Sequence, residues 1–125
     1  MRGEPVLVPE LNSPYEENTT DIRRDGLEFF LVSSRPDGLI GLIDIWVSTR
    51  DSTLDPWSTP VSLGPTVNYP GYTTGRPALS CQRTTLYFYA DRPGGFGARD
   101  LYVATRERSV DSRGKSGARK HEAQR

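Results

Sequence analysis

The chain has 125 residues, with 16 basic and 16 acidic side chains, so its formal net charge at pH 7 is zero. This length fits one ordinary domain, and the charge balance argues against a surface for nucleic acid or an anionic membrane. The 12 glycines and 10 prolines favour short strands joined by turns over long helices.

Neither targeting nor disulfide chemistry is indicated. The first ten residues lack the apolar stretch of a signal peptide. Apolar runs along the chain are far shorter than the roughly 20 residues that a membrane-spanning helix needs. Cys81 is the single cysteine of the sequence, so an intrachain disulfide is excluded.

The first half of the chain predicts a series of short strands. Pro5–Val8 is a candidate strand, and further strands are expected at 19–22, 27–33 and 44–50. In the last of these, a period of two places Ile45 and Val47 on one face and Trp46 and Ser48 on the other. The turn Arg35-Pro36-Asp37-Gly38 separates 27–33 from 44–50 and predicts a β-hairpin. Trp57–Leu63 would add an outer strand.

The second half predicts the same series with a different ending. Strands are expected at 77–80, 85–90 and 100–105, with a Pro/Gly turn at 92–95. No outer strand is predicted after Arg106. Residues 107–125 contain one valine, two alanines and no aromatic residue, so they are predicted to be disordered.

These two halves share a motif at a fixed offset. Arg35 and Arg92 lie 57 residues apart, and Arg50 and Arg106 lie 56 apart. Each unit of four strands over about 56 residues has the size of a propeller blade. The predicted organisation is an outer strand of a preceding blade at 4–14, a blade at 15–65 and an incomplete blade at 66–106.

The predicted fold is therefore all-β: a partial β-propeller of two four-stranded antiparallel blades with a disordered C-terminal tail. Two blades do not close a ring, because propellers typically need 4–8 blades. The favoured interpretation is a fragment of a longer protein. The alternative is a trimer that closes a six-bladed ring, in which Pro5–Val8 of one chain completes blade 77–106 of the next.

The motifs resemble the WD-like propeller repeat of TolB-type proteins. The resemblance covers roughly residues 4–106 and rests on S-R-P-D-G…D-I-W-V-S-T-R in the first half and D-R-P-G-G-F-G-A-R-D-L-Y-V-A-T-R in the second. The second half departs from the pattern at Cys81-Gln82-Arg83, where Asp25-Gly26 stands in the first. The resemblance implies a periplasmic or envelope-associated bacterial protein that acts as a protein-interaction platform.

The charged residues that recur in both halves are candidates for either a ligand-binding rim or a structural network. They are Arg35, Asp44, Arg50, Arg92, Asp100 and Arg106. Recurrence favours the structural role, in which these side chains hold turn amides and carbonyls. Trp46 and Tyr102 also match and are expected to pack between blades.

Residues that do not recur are better candidates for specificity. The loop P-G-Y-T-T-G-R-P joins the two units and carries Tyr69, Tyr72 and Arg76 at or beside it. Loops on rigid scaffolds often bind partners, and exposed tyrosine and arginine suit protein interfaces. An ordinary linker is the competing interpretation.

Catalysis and metal binding find little support in the sequence. His121, the single histidine, lies in the polar tail, so neither a Ser-His-Asp arrangement nor a zinc site is expected. Asp37, Asp44 and Asp55 lack the spacing of a calcium loop. The acidic residues Asp21 and Asp25 and the pair Glu16-Glu17 lack a defined separation. No cofactor is expected.

The sequence thus predicts a non-catalytic interaction or scaffold module of a bacterial envelope-associated propeller, with a protein partner and without nucleic acid or a membrane span. The alternative is the propeller portion of a hydrolase similar to prolyl oligopeptidase, whose catalytic domain would lie outside this chain. A downstream G-x-S-x-G nucleophile elbow would distinguish the hydrolase.

Overall fold

The computed structural model describes residues 3–15, 17–107 and 122–124, and within them the chain forms strands and no helix. The first half contains β1 (Glu17–Ile22), β2 (Glu28–Ser33), β3 (Asp44–Thr49) and β4 (Val61–Ser62). The second contains β5 (Thr74–Leu79), β6 (Thr85–Ala90), β7 (Asp100–Thr105) and β8 (Glu122–Gln124). The predicted all-β class is confirmed.

The strands form two antiparallel sheets in which each strand pairs with its neighbours in sequence. Sheet 1 has the order β1-β2-β3-β4, and sheet 2 has the order β5-β6-β7-β8. Three strands of sheet 2 are long, and the fourth, β8, has three residues. The predicted hairpin of the first half is observed, with Leu31 opposite Trp46 in β2 and β3.

Equivalent residues pair in the two sheets. Phe88 faces Tyr102 in sheet 2 as Leu31 faces Trp46 in sheet 1. The turn before β6 also matches the turn before β2, since Arg83 has φ 67° where Gly26 has φ 77°. An arginine therefore adopts the left-handed conformation that glycine adopts in the other sheet, at a steric cost that glycine avoids.

Between the sheets lies the core, because strand alternation directs one face of each sheet inward. Sheet 1 contributes Phe30, Val32, Ile45 and Val47, and sheet 2 contributes Leu86, Phe88, Ala90, Tyr102 and Ala104. Val67, in the connection between the sheets, is fully buried in the same cluster. A valine, leucine, isoleucine or phenylalanine side chain contributes about 1.5–3 kcal/mol when it is fully buried.

The bounds of β4 and β5 differ from the predicted ones. The outer strand expected at Trp57–Leu63 is reduced to Val61–Ser62, because Pro56 and Pro60 lack the amide that a ladder requires. The strand expected at 77–80 begins instead at Thr74, and a bulge interrupts its pairing between Gly75 and Ala78. A bulge accommodates Pro77 within the strand.

Both ends of the chain depart from expectation. Pro5–Val8 forms no strand, and Val6 and Leu7 are exposed, so its pairing with another blade stays a prediction. Glu122–Gln124 pairs with β7, although no outer strand was expected after Arg106. Backbone pairing with β7 defines this strand, and its sequence has no apolar pattern that could have predicted it. The rest of the tail expected to be disordered, 108–121 and 125, lies outside the described residues.

A membrane-spanning helix is not found among the described residues, since none of them forms a helix of the required length and hydropathy.

Candidate functional site

Asp44 and Arg35 hold the hairpin turn of sheet 1. The Asp44 carboxylate accepts hydrogen bonds from the amides of Ile40 at 2.6 Å and Gly41 at 3.0 Å. The Arg35 guanidinium donates to the carbonyl of Leu11 at 2.7 Å and to Ser33 Oγ at 3.0 Å. Since Asp44 is fully buried and Arg35 nearly so, these contacts connect the turn to the segment before β1.

The corresponding residues of sheet 2 make related contacts in a more exposed setting. Asp100 accepts hydrogen bonds from the amides of Phe96 at 2.9 Å and Gly97 at 3.2 Å. The guanidinium of Arg92 lies 4.6 Å from the ring centre of Tyr69 and 5.4 Å from that of Tyr102. Arg35 stands over Trp46 in the same way, at 5.8 Å.

The strand-ending arginines also occupy matching positions and then diverge. Arg50 donates through Nε to the carbonyl of Gly26, and Arg106 donates to that of Arg83. The two remaining nitrogens of Arg106 donate hydrogen bonds to the two carboxylate oxygens of Glu28 in sheet 1, at 2.8 and 2.6 Å. Arg50 instead stacks on Trp57, 4.0 Å from its ring centre.

The loop predicted to bind a partner lies where the two sheets meet. The Tyr69 and Tyr72 rings are 5.7 Å apart, and Arg92 packs on Tyr69. The Tyr72 carbonyl accepts a hydrogen bond from the Leu42 amide at 2.9 Å. The loop backbone is therefore held by the hairpin of sheet 1, and the Tyr72 side chain is exposed.

Arg76 borders a cleft of about 250 Å³ between the sheets, which we call the inter-sheet cleft. The backbone of Arg76 has an unusual positive φ of 53°, at the bulge of β5. Arg99 and Thr73 also line the cleft, and the Asp91 carboxylate there accepts a hydrogen bond from the Thr73 amide at 2.7 Å. The remaining lining residues are Val32, Ile43, Gly75, Tyr89 and Ala90.

The structure thus brings Arg76 and Arg99 to one cleft, beside the loop that carries Tyr69 and Tyr72. Non-glycine residues at positive φ concentrate at functional sites, where the surroundings hold the strained conformation. Arg76 was a sequence candidate for binding. Arg99 was not; it directly precedes β7, and the pairing of β7 with β6 brings it to the cleft.

Two carboxyl groups have shifted pKa values. Burial raises the pKa of Asp44 above its usual 3.8, although the amides of Ile40 and Gly41 act in the opposite direction. For Asp25, burial alone would raise the pKa. The Arg23 hydrogen bond, the Leu27 amide and the charges of Arg23 and Arg83 outweigh it, so the pKa lies below 3.8. Both carboxyl groups accept hydrogen bonds from backbone amides.

A metal ion requires several ligating side chains in one place. Among the described residues, no group of three or more His, Cys, Asp or Glu residues is placed to hold one. Cys81 is exposed, with Sγ 3.9 Å from the Arg24 guanidinium. His121 and Glu16, weighed in the sequence, lie outside the described residues.

Two structurally important polar residues escaped the sequence prediction. Glu28 was not singled out within the predicted strand 27–33, and its partner Arg106 lies 78 positions away. Asn68 is fully buried, and its side-chain amide binds both the N–H and the carbonyl of Ile45. The match of Asn12 with Asn68 at an offset of 56 was the available signal for the second.

No family model, no curated protein and no solved structure matches this chain.

Proposed function

We propose that the chain is a non-catalytic protein-interaction module built from two blades of a TolB-like β-propeller in the bacterial cell envelope. The observation that carries the proposal is the pair of packed, four-stranded meander sheets with equivalent residue pairing. Propeller blades have this strand order and pack face to face. The envelope location and the likeness to TolB rest on the sequence motifs.

The inter-sheet cleft supports binding of a partner protein. It presents the exposed side chains of Arg76 and Arg99 beside the exposed Tyr72. Arginine and tyrosine are the residue types that contribute most to protein interfaces, because each combines a large contact area with hydrogen-bonding groups. Two guanidinium groups at one cleft favour an acidic segment of the partner.

Site-specific photo-crosslinking in cells of the natural host tests this proposal. A photoreactive residue at position 72 should give a discrete adduct with an envelope protein, and one at Leu54, which is almost fully exposed, should not. The substitutions Arg76→Glu and Arg99→Glu should abolish the adduct, whereas Arg24→Glu, outside the cleft, should preserve it.

Two results would contradict the proposal. One is the same adduct pattern at positions 72 and 54, which would indicate non-specific contact. The other is loss of the adduct on Arg24→Glu with retention on Arg76→Glu, which would move the binding surface away from the cleft.

A further inference from the structure

Sheet 2 presents a row of apolar side chains to solvent. Tyr87, Tyr89 and Leu101 are exposed by 46%, 39% and 59%. Cross-strand pairing joins Tyr87 with Val103 and Tyr89 with Leu101, so all four lie on one face, which we call the aromatic face. Exposed apolar patches rimmed by polar residues are a feature of interaction surfaces.

Sheet 1 carries a complementary feature on the side away from the core. An apolar groove of about 270 Å³, the outer groove, lies over the outward-facing Phe29 and Leu31. Trp57 packs edge-on against Phe29, with ring centres 5.5 Å apart. The segment before β1 forms one wall of the groove through Val8 and Leu11.

Within the chain, one surface of sheet 1 packs against one surface of sheet 2. The aromatic face is equivalent to the first of these surfaces, and the outer groove is equivalent to the second. The strand pairing matches the four residues of the aromatic face with Phe30, Val32, Ile45 and Val47 of sheet 1, in the order Tyr87, Tyr89, Leu101 and Val103. These four residues of sheet 1 lie in the core. Phe29 and Leu31 of the groove correspond in the same way to the core residues Leu86 and Phe88 of sheet 2. The chain therefore already forms this interface once.

We propose that the aromatic face of one copy of the chain docks into the outer groove of a second copy, head to tail. The contact would reproduce the packing of sheet 1 on sheet 2. It joins two different surfaces, so a pair of copies keeps one free face on one member and one free groove on the other, and such contacts produce rings or filaments. This inference rests on the blade interpretation of the proposed function and concerns a second surface, which shares Tyr89 with the inter-sheet cleft.

The position of Asn12 gives independent support. Within the chain, Asn68 connects the sheets by binding the backbone of Ile45 at 2.8 and 3.0 Å. Asn12 stands at the matching position before β1, and it is exposed, with its amide donating to the Val8 carbonyl at 2.8 Å. Since Leu101 matches Ile45, Asn12 of one copy would bind the Leu101 backbone of the other.

Among residues 3–15, 17–107 and 122–124, the outer edge of β7 at Leu101 is not paired with a strand. There, β8 pairs with Val103–Thr105. In sheet 1 the corresponding stretch of β3 is covered by Asn68 and by Leu63, whose amide donates to the Ile45 carbonyl at 3.2 Å. Leu7 matches Leu63 at the same offset of 56, so the segment before β1 supplies both contacts.

Light scattering coupled to size exclusion, performed on the full chain over a range of concentrations, tests the proposal. Leu101→Glu places a charge on the aromatic face, and Ile22→Glu places one at the outer groove, where Ile22 is 47% exposed. Leu54→Glu is the matched control, because Leu54 is exposed by 95% and belongs to neither surface. Tyr87→Lys repeats the test of the aromatic face.

The expected result is a wild-type species larger than a monomer, unchanged by Leu54→Glu and reduced to a monomer by Leu101→Glu, Tyr87→Lys or Ile22→Glu. A mixture of Leu101→Glu and Ile22→Glu should form a 1:1 dimer, because one intact face meets one intact groove. Asn12→Ala should weaken association about tenfold, the effect of one buried hydrogen-bonding group.

A wild-type chain that is monomeric at every soluble concentration would overturn the proposal. The same holds if the two charged variants fail to combine, or if only aromatic-face variants dissociate the assembly, since that indicates face-to-face pairing. A monomer that melts cooperatively would leave the cleft proposal intact. If the chain assembles but gives no cross-link at position 72, the proposal of partner binding at the cleft is contradicted and the proposal of assembly is not.

Discussion

The Glu28 carboxylate of sheet 1 and the Arg106 guanidinium of sheet 2 form a two-point ion pair across the sheet interface, with N–O distances of 2.8 and 2.6 Å. Arg23 lies 3.6 Å from the same carboxylate, and all three residues are buried. Removal of this carboxylate takes away the counter-ion of the buried Arg106, whereas Arg23 keeps its ion pair with Asp25 at 2.8 Å. The pair therefore fixes how the sheets meet.

Glu28→Gln should destabilise the chain by about 3–5 kcal/mol, the usual effect of breaking a buried ion pair by loss of one partner. Thr85 occupies the position in sheet 2 that Glu28 occupies in sheet 1, so Thr85→Val is the matched control and should cost under about 1 kcal/mol. Urea unfolding measures both. Equal effects of the two substitutions would contradict a special role for the ion pair.

Arg35→Ala and Arg92→Ala should both lower stability if these recurring arginines are structural. Arg35 is buried with hydrogen bonds to Leu11 and Ser33, so its loss should cost about 2–3 kcal/mol. Arg92 stacks on Tyr69 and Tyr102, a contact worth about 1 kcal/mol. Unchanged melting with loss of partner binding in either variant would instead assign that arginine to a binding surface.

Gly41 lies where the hairpin turn of sheet 1 meets the inter-sheet loop. A β-carbon there would clash with the carbonyl oxygens of Tyr72 and Tyr69, so Gly41→Ala should cost about 2 kcal/mol. Gly97 lies in the corresponding turn of sheet 2 with open space around its α-carbon, and Gly97→Ala should be nearly neutral. Thermal unfolding compares the two, and a neutral Gly41→Ala would show that the loop does not pack closely there.

The sequence predicts best those features whose interacting residues lie close together along the chain. Strands β2, β3, β6 and β7 were predictable, because alternation and flanking turns are local signals. The outer strand predicted at Trp57–Leu63 exists only as the shorter β4, since Pro56 and Pro60 interrupt the pairing. β8 was not predicted, because backbone pairing alone defines it. Of the site, Arg76 was identified from its loop. Glu28 and Arg99 were not, because their roles depend on neighbours brought together by the packing of the sheets.

Asp25 should make stability depend on pH in the acidic range. Its pKa in the folded chain lies below 3.8 because Arg23, Leu27 and Arg83 favour the carboxylate over the opposing effect of burial. The unfolded chain therefore takes up the proton first as the pH falls, so the contribution of Asp25 is complete above about pH 5 and is lost through the folded pKa. Asp25→Asn should lower stability at pH 7 and flatten this acid-induced loss.

Asp44 provides the control of opposite sign. Burial raises its pKa in the folded chain above 3.8, so the folded chain takes up this proton before the unfolded chain does, and acidification adds to stability at this residue. Removing the carboxyl group through Asp44→Asn should therefore make the acid-induced loss of stability steeper, whereas Asp25→Asn makes it shallower. Urea titrations at pH values from about 3 to 7 measure both slopes. If both variants change the slope in the same direction, the opposite environments assigned to the two carboxyl groups are wrong.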